Sequence, residues 1–148
     1  MTVHSNPFPL PGRLESDLGR VLSFWEDLRR AESSMPFWDD LTPSALAQRA
    51  SIVLLIDVFA KPERFRFNHI SDALAQRYGE NIAHKFADEI DLRDPFAFLR
   101  AQASATVEAR APTYYRSIVA GEPGYSRLLL PMWGDGRIGM LLGALETR

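Results

Sequence analysis

From Leu14 to Ala31 the apolar residues Leu14, Leu18, Val21, Trp25 and Leu28 return at alternating steps of four and three, and Leu22 and Phe24 widen the stripe. This spacing predicts an amphipathic helix over residues 14–31, whose seam either folds onto its own domain or meets a second copy. A loop with Pro36 follows, and Thr42-Pro43 signals the start of a short helix reaching about Arg49. The period then changes. Ser51 to Phe59 is a continuous apolar, β-branched run broken only by Asp57, the pattern of a strand covered on both faces. From Glu63 to Ile70 the residues alternate, with Phe65, Phe67 and His69 on one face and Arg64, Arg66 and Asn68 on the other.

Ser71 is placed to cap a helix through Leu74 and Tyr78, and Gly79 to end it. Asp94-Pro95 reads as the start of a longer helix with the stripe Phe96, Leu99, Ala103 and Val107, which must stop before Pro112. Three strands close the chain, Thr113 to Val119, Tyr125 to Trp133 and Ile138 to Leu145. Turns at Gly121–Gly124 and Gly134-Asp135-Gly136 separate them. Two strands set apart from three by helices predict an α+β domain with a mostly antiparallel sheet and helices on one face. The first twelve residues, with Pro7, Pro9 and Pro11, read as an extended arm, and residues 13–148 as one domain.

Composition narrows the function classes. At 148 residues the chain can bury about 70% of its unfolded surface, enough for a core without staples. Seventeen basic residues against nineteen acidic ones leave a net charge of -2, which gives no footprint for nucleic acid or an anionic membrane. The apolar runs at Ile52–Ile56 and Met140–Leu145 are far shorter than the roughly 20 residues of a membrane span, and the N-terminus has no signal-peptide pattern. No cysteine is present, which removes disulfides, thiolate metal sites and cysteine nucleophiles and fits a cytoplasmic setting.

The chemistry-bearing residues are sparse. There is no nucleophile elbow, and the glycines at 134, 136, 139 and 143 lead into no helix that could hold a phosphate. Asp88, Glu89, Asp91 and Asp94 form the only dense acidic cluster, without the oxygen spacing of a calcium loop. His4, His69 and His84 are too scattered for a zinc pair. His69 is the odd one, because alternation puts it on the face of Phe65 and Phe67. There it either bonds to a backbone carbonyl, touches a ligand, or serves as a general base beside an acid such as Asp72. A pocket between helices and sheet would be lined by Phe65, Phe67, His69, Tyr78, Leu99, Ala103 and Tyr115.

Taken in order, several motifs resemble a bacterial family of stand-alone PAS domains. They are Phe24-Trp25 with Leu28-Arg29, Met35-Pro36, Asp40, Pro43 and Leu46, the strand Leu54 to Val58, Phe65-Arg66-Phe67, and Ala73-Leu74 with Tyr78-Gly79. Tyr125 to Pro131 and Ile138 to Gly143 complete the set, so the resemblance spans about Val21 to Leu145. It implies a five-stranded antiparallel sheet in spatial order 2-1-5-4-3, with the Asp94–Arg110 helix packed across it. This chain departs from the family at Ser71-Asp72, where Gly-Thr is usual, and at Ala83-His84, where Thr-Gly is usual. The resemblance implies a sensory or scaffolding role without catalysis. The apolar helix seam predicts a homodimer, and with no kinase, cyclase or DNA-binding segment in the sequence the output is expected to pass to another signalling protein. The resemblance names neither a small-molecule ligand nor a cofactor. Leu14, Leu18, Val21, Trp25 and Leu28 are then the candidate dimer or signalling helix. The rivals are a small α+β enzyme using His69 and an adaptor without a ligand.

Overall fold

The computed structural model describes residues 7–30, 33–118 and 124–147. In chain order it contains α1 (Ser16–Leu28), a 3-10 turn (Trp38–Asp40), α2 (Pro43–Ala47), β1 (Val53–Phe59), β2 (Arg64–Ile70) and α3 (Asp72–Tyr78). A second 3-10 turn (Ala87–Glu89) leads to α4 (Leu99–Ala109), β3 (Thr113–Ser117), β4 (Tyr125–Gly134) and β5 (Arg137–Thr147). α1 ends at Leu28, with Arg29 already extended, and β3 ends at Ser117, so both stop short of the predicted ends at Ala31 and Val119; those two positions and most of the predicted Gly121–Gly124 turn lie outside the described residues.

The strands form one antiparallel sheet in the order β2-β1-β5-β4-β3. Its longest ladder joins β4 to β5 across a two-residue turn, where Asp135 (φ 54°) and Gly136 (φ 76°) hold the left-handed backbone that such a turn requires. Next to β1, Gly143 on β5 leaves room for Leu54, because a Cβ there would lie 2.4 Å from Leu54 Cδ2. The close approach explains why this central strand carries a glycine.

Register fixes which face each residue serves. On β3 and β4, Tyr115 opposes Arg127, and Arg127 reaches α4 through Gln102. Tyr114 therefore faces the other side, where its hydroxyl meets Glu15 just ahead of α1. The sheet is thus covered by α3 and α4 on one face and by α1 on the other. Leu18, Val21 and Trp25 of α1 are buried, and the Trp25 Nε1 donates to Pro131 O at 2.9 Å.

Local signals explain most helix ends. Thr42 Oγ1 accepts from the Ala45 amide ahead of α2, and Gly79 (φ 104°) terminates α3. Two expected caps are replaced. The Ser71 hydroxyl accepts from the Val53 amide instead of its own helix, tying α3 to β1. Asp94 does not cap the long helix: α4 begins at Leu99 after Phe98 (φ 59°), and the Asp94 carboxylate is taken by Arg77 at 2.8 and 3.1 Å. The predicted start at Asp94-Pro95 is therefore several residues early.

Candidate functional site

The space between the sheet and the helices α3 and α4 is where the sequence places a pocket. Five of its seven predicted residues, Phe65, Phe67, Tyr78, Leu99 and Ala103, are buried there. Phe67 and Tyr78 each sit 5.2 Å, ring centre to ring centre, from Phe96, a contact worth about 1 kcal/mol per pair beyond burial. The Tyr78 hydroxyl donates to Asp91 O at 2.8 Å, which anchors the irregular segment ahead of α4. Tyr115 is half-buried and apart from this cluster. It stacks loosely on Phe98 (5.8 Å) and Tyr125 (6.0 Å) at the β3 side of the sheet.

His69 does not join them. Leu55 opposes His69 while Ile56 opposes Phe67, so Asn68 is an extra residue in the β2 ladder. This bulge turns His69 to the face opposite Phe67, half-buried beside Leu55, and the unbroken alternation expected for residues 63–70 fails at that point. Asn68 instead joins Arg66 on the Asp57 carboxylate, with Arg66 at 3.0 Å and Asn68 at 3.2 Å. His84 occupies a left-handed position (φ 71°), a backbone conformation that favours glycine.

Beneath α4 lies a polar group that periodicity did not single out. Arg127 on β4 has no solvent exposure, and its guanidinium donates to Gln102 Oε1 at 2.7 Å, Pro95 O at 3.0 Å and Ala97 O at 2.8 Å. Gln102, also fully buried, donates from Nε2 to Thr113 Oγ1 and Arg127 O, and Thr113 shares a 2.6 Å hydrogen bond with Thr106. All three guanidinium partners are neutral, so burial lowers the Arg127 pKa to about 10. The guanidinium also lies 4.9 Å from the centre of the Tyr115 ring.

Tyr125, beside Arg127, is buried, and its hydroxyl makes no hydrogen bond of ordinary geometry although it lies near the Arg127 guanidinium and the Ala97 backbone. Burial raises its pKa. One signal in the sequence could have found this cluster. Arg127 stands inside the apolar run Tyr125–Trp133, and a strand covered on both faces has no solvated side for an arginine.

The inner and outer faces are linked through β3 and β4. The Tyr114 hydroxyl donates to the Glu15 carboxylate, 2.9 and 3.0 Å away, and shares a 2.9 Å hydrogen bond with the hydroxyl of Ser126, next to Arg127. Burial raises the Tyr114 pKa as well. Directly across from Ser126 on the neighbouring strand, Glu146 of β5 accepts from the Asp17 amide in the first turn of α1. Of the five residues assigned to a signalling helix, Leu18, Val21 and Trp25 face the chain's own sheet, while Leu14 and Leu28, just outside and at the end of α1, are half-buried.

The acidic cluster is dispersed by its partners. Asp88 holds Arg64 at 2.8 and 2.9 Å, Glu89 accepts from the Phe86 amide, Asp91 lies 3.6 Å from Arg93, and Asp94 holds Arg77. Two open clefts lie at the turn end of the sheet. One of about 240 Å³ is bordered by Lys61, Glu63, Val107 and Arg110, and one of about 280 Å³ by Trp38, Asp57, Arg66 and Asn68. None of the seven predicted pocket residues lines either of them.

No family model matches the chain, and no curated protein matches it. Among solved structures it is similar to a sensory box sensor histidine kinase from Vibrio cholerae, with a TM-score of 0.52 and 10% identity. The likeness covers 71% of this chain and 87% of that one. At that identity the likeness speaks for the fold. With the strand order β2-β1-β5-β4-β3 and the helices between β2 and β3, it shows a PAS-like α+β domain.

Proposed function

We propose that the chain is a sensory module of the PAS type that binds a partner protein, and that α1 carries its state outward. The observation that supports this most directly is the path through the sheet. A change at Arg127 shifts β4, Ser126 moves with it, and the Tyr114 hydroxyl connects Ser126 to Glu15 at the foot of α1. The fold likeness to a sensory box domain points the same way. The input is a small ligand held between α3, α4 and the sheet, where the Phe67–Phe96–Tyr78 cluster lies beside the buried Arg127 group.

A role as general base is not available to His69 in that space, since the β2 bulge turns it to the other face. The module works without catalysis. No helix among the described residues is long and apolar enough to cross a membrane, and the reading places the chain in the cytoplasm. It acts as a homodimer through a surface other than the Leu18–Trp25 seam, which its own sheet covers.

Native mass spectrometry of the purified chain tests the reading. A bound mass that leaves on partial unfolding, together with a shift in the Trp25 fluorescence when that mass is removed, is the expected result. A protein that carries no mass, and whose α1 amides exchange identically before and after exposure to a metabolite extract, refutes the sensor and leaves the ligand-free adaptor. The close packing of Phe67, Tyr78 and Phe96 is the observation that favours that second reading.

A further inference from the structure

The two edges of the sheet are treated differently. On β2, the Phe67 amide donates to Lys85 O at 2.9 Å and Phe67 O accepts from the His84 amide at 2.6 Å, so the segment 84–86 closes that edge with backbone pairs. On β3, the Tyr114 amide donates outward to Phe8 O at 3.1 Å, and the Phe8 ring lies 6.4 Å from Tyr115. The arm thus covers the edge at one residue. Arg116, two positions on, presents its backbone N–H and C=O in the same outward direction, and they have no partner among the described residues. Its guanidinium is likewise exposed and without an ion pair among them. Ile118, which follows the last residue of β3, is 80% exposed and is one of the few exposed large apolar residues among the described residues.

An open edge carrying an exposed apolar residue is a template for another strand. We infer that the β3 edge from Arg116 to Ile118 is the surface on which a partner protein adds an extended segment, with an acidic residue beside Arg116 and an apolar residue beside Ile118. The inference rests on the partner-binding reading above and names its surface. The charge decides the occupant. A second copy pairing its own β3 across this stretch would set the two Arg116 side chains opposite or diagonal to each other, an arrangement that costs rather than gains stability. An acidic segment reverses the sign of that term and fills the free backbone donor and acceptor at once. The arm at Phe8 already shows that this edge accepts an extended chain, and it limits the added strand to the part beyond Tyr114.

The test uses the full chain and a blocked peptide VTETV, whose alternate residues place Glu between two Val on one face, against the control VTKTV. Backbone amide shifts are followed by NMR. Saturable shifts centred on Arg116 and Ile118 are expected, with VTETV binding about tenfold more tightly than VTKTV and the preference reversed in Arg116→Glu. Arg116→Pro removes the outward N–H without touching the ladder to β4, so it should keep the dispersed spectrum and lose the peptide response. Shifts confined to another surface, no response to either peptide, or an unchanged preference in Arg116→Glu each overturn the proposal. Concentration-dependent shifts at Arg116 without peptide would assign the edge to a second copy and overturn it too. A partner captured through a different surface would sink this inference while leaving the sensory reading in place.

Discussion

The space under α3 and the space under α4 lie side by side on one face of one sheet, yet they are filled by opposite chemistry. Under α3, Phe67, Phe96 and Tyr78 pack ring against ring, and the only polar atom they bring, the Tyr78 hydroxyl, is directed to a backbone carbonyl. Under α4, an arginine, a glutamine and two threonines are buried completely and bond to one another and to the chain turning into α4. The apolar half is held by area and tolerates small shifts in ring position. The polar half is held by directional bonds whose partners, once unpaired in a buried place, cost about 1 to 3 kcal/mol each. It follows that the two halves should respond differently to the same kind of damage, and that the polar half is where a small displacement has two distinct outcomes rather than a gradual one.

Arg127→Met gives the largest expected effect. It restores most of the side-chain volume but leaves Gln102 Oε1, Pro95 O and Ala97 O without their donor, for a loss of about 3 kcal/mol, moderated by removal of the buried charge. Urea unfolding followed by circular dichroism measures it. If the midpoint barely moves, the guanidinium serves as filler and the two halves are alike after all.

A pair of double-mutant cycles sharpens the same contrast. Arg127→Met with Gln102→Leu should show coupling of about 2 kcal/mol, because each single change strands the other's bonding atoms. Phe67→Leu with Phe96→Leu should show about 1 kcal/mol or less, the size of an aromatic pair beyond its area. Equal coupling energies would erase the distinction.

The apolar residues of this face were readable from the sequence because they obey the strand and helix periods: Phe65 and Phe67 alternate along β2, and Leu99 and Ala103 fall one turn apart on α4. The strand order followed from the resemblance carried by the motifs and not from periodicity. Two features were hidden for physical reasons. A bulge leaves no mark in residue types, so Asn68 looked like one more outward residue and His69 was assigned to the wrong face. Arg127 and Gln102 carry side chains that normally seek water, and only the tertiary packing of α4 over β4 reveals that their partners are one another. Asp94-Pro95 shows the opposite error. It has the right residue types for a helix start, but a tertiary partner, Arg77, outbids the local cap.

Tyr125 lies at the border between the two halves, and its hydroxyl is the group that neither half satisfies. Tyr125→Phe should therefore be stabilising by about 1 kcal/mol at pH 7, since the variant removes an unpaired buried hydroxyl and keeps the ring. The pH dependence has a fixed sign. Burial raises the folded pKa of Tyr125 above its ordinary value near 10, so between the two values the unfolded chain has lost the proton and the folded chain keeps it. Stability then falls as pH rises through that window, and the phenylalanine variant should lose less from pH 9 to 11 than the parent does, by the margin that this one group contributes. Arg127 acts in the reverse sense from about pH 10 upward, because its lowered pKa relieves a buried charge as the proton leaves. It is present in both proteins and cancels in the comparison to the extent that its neighbour's hydroxyl does not change it. Parallel urea titrations at three pH values decide the matter, and identical alkaline losses in the two proteins would show that the Tyr125 hydroxyl is hydrogen-bonded or solvated after all.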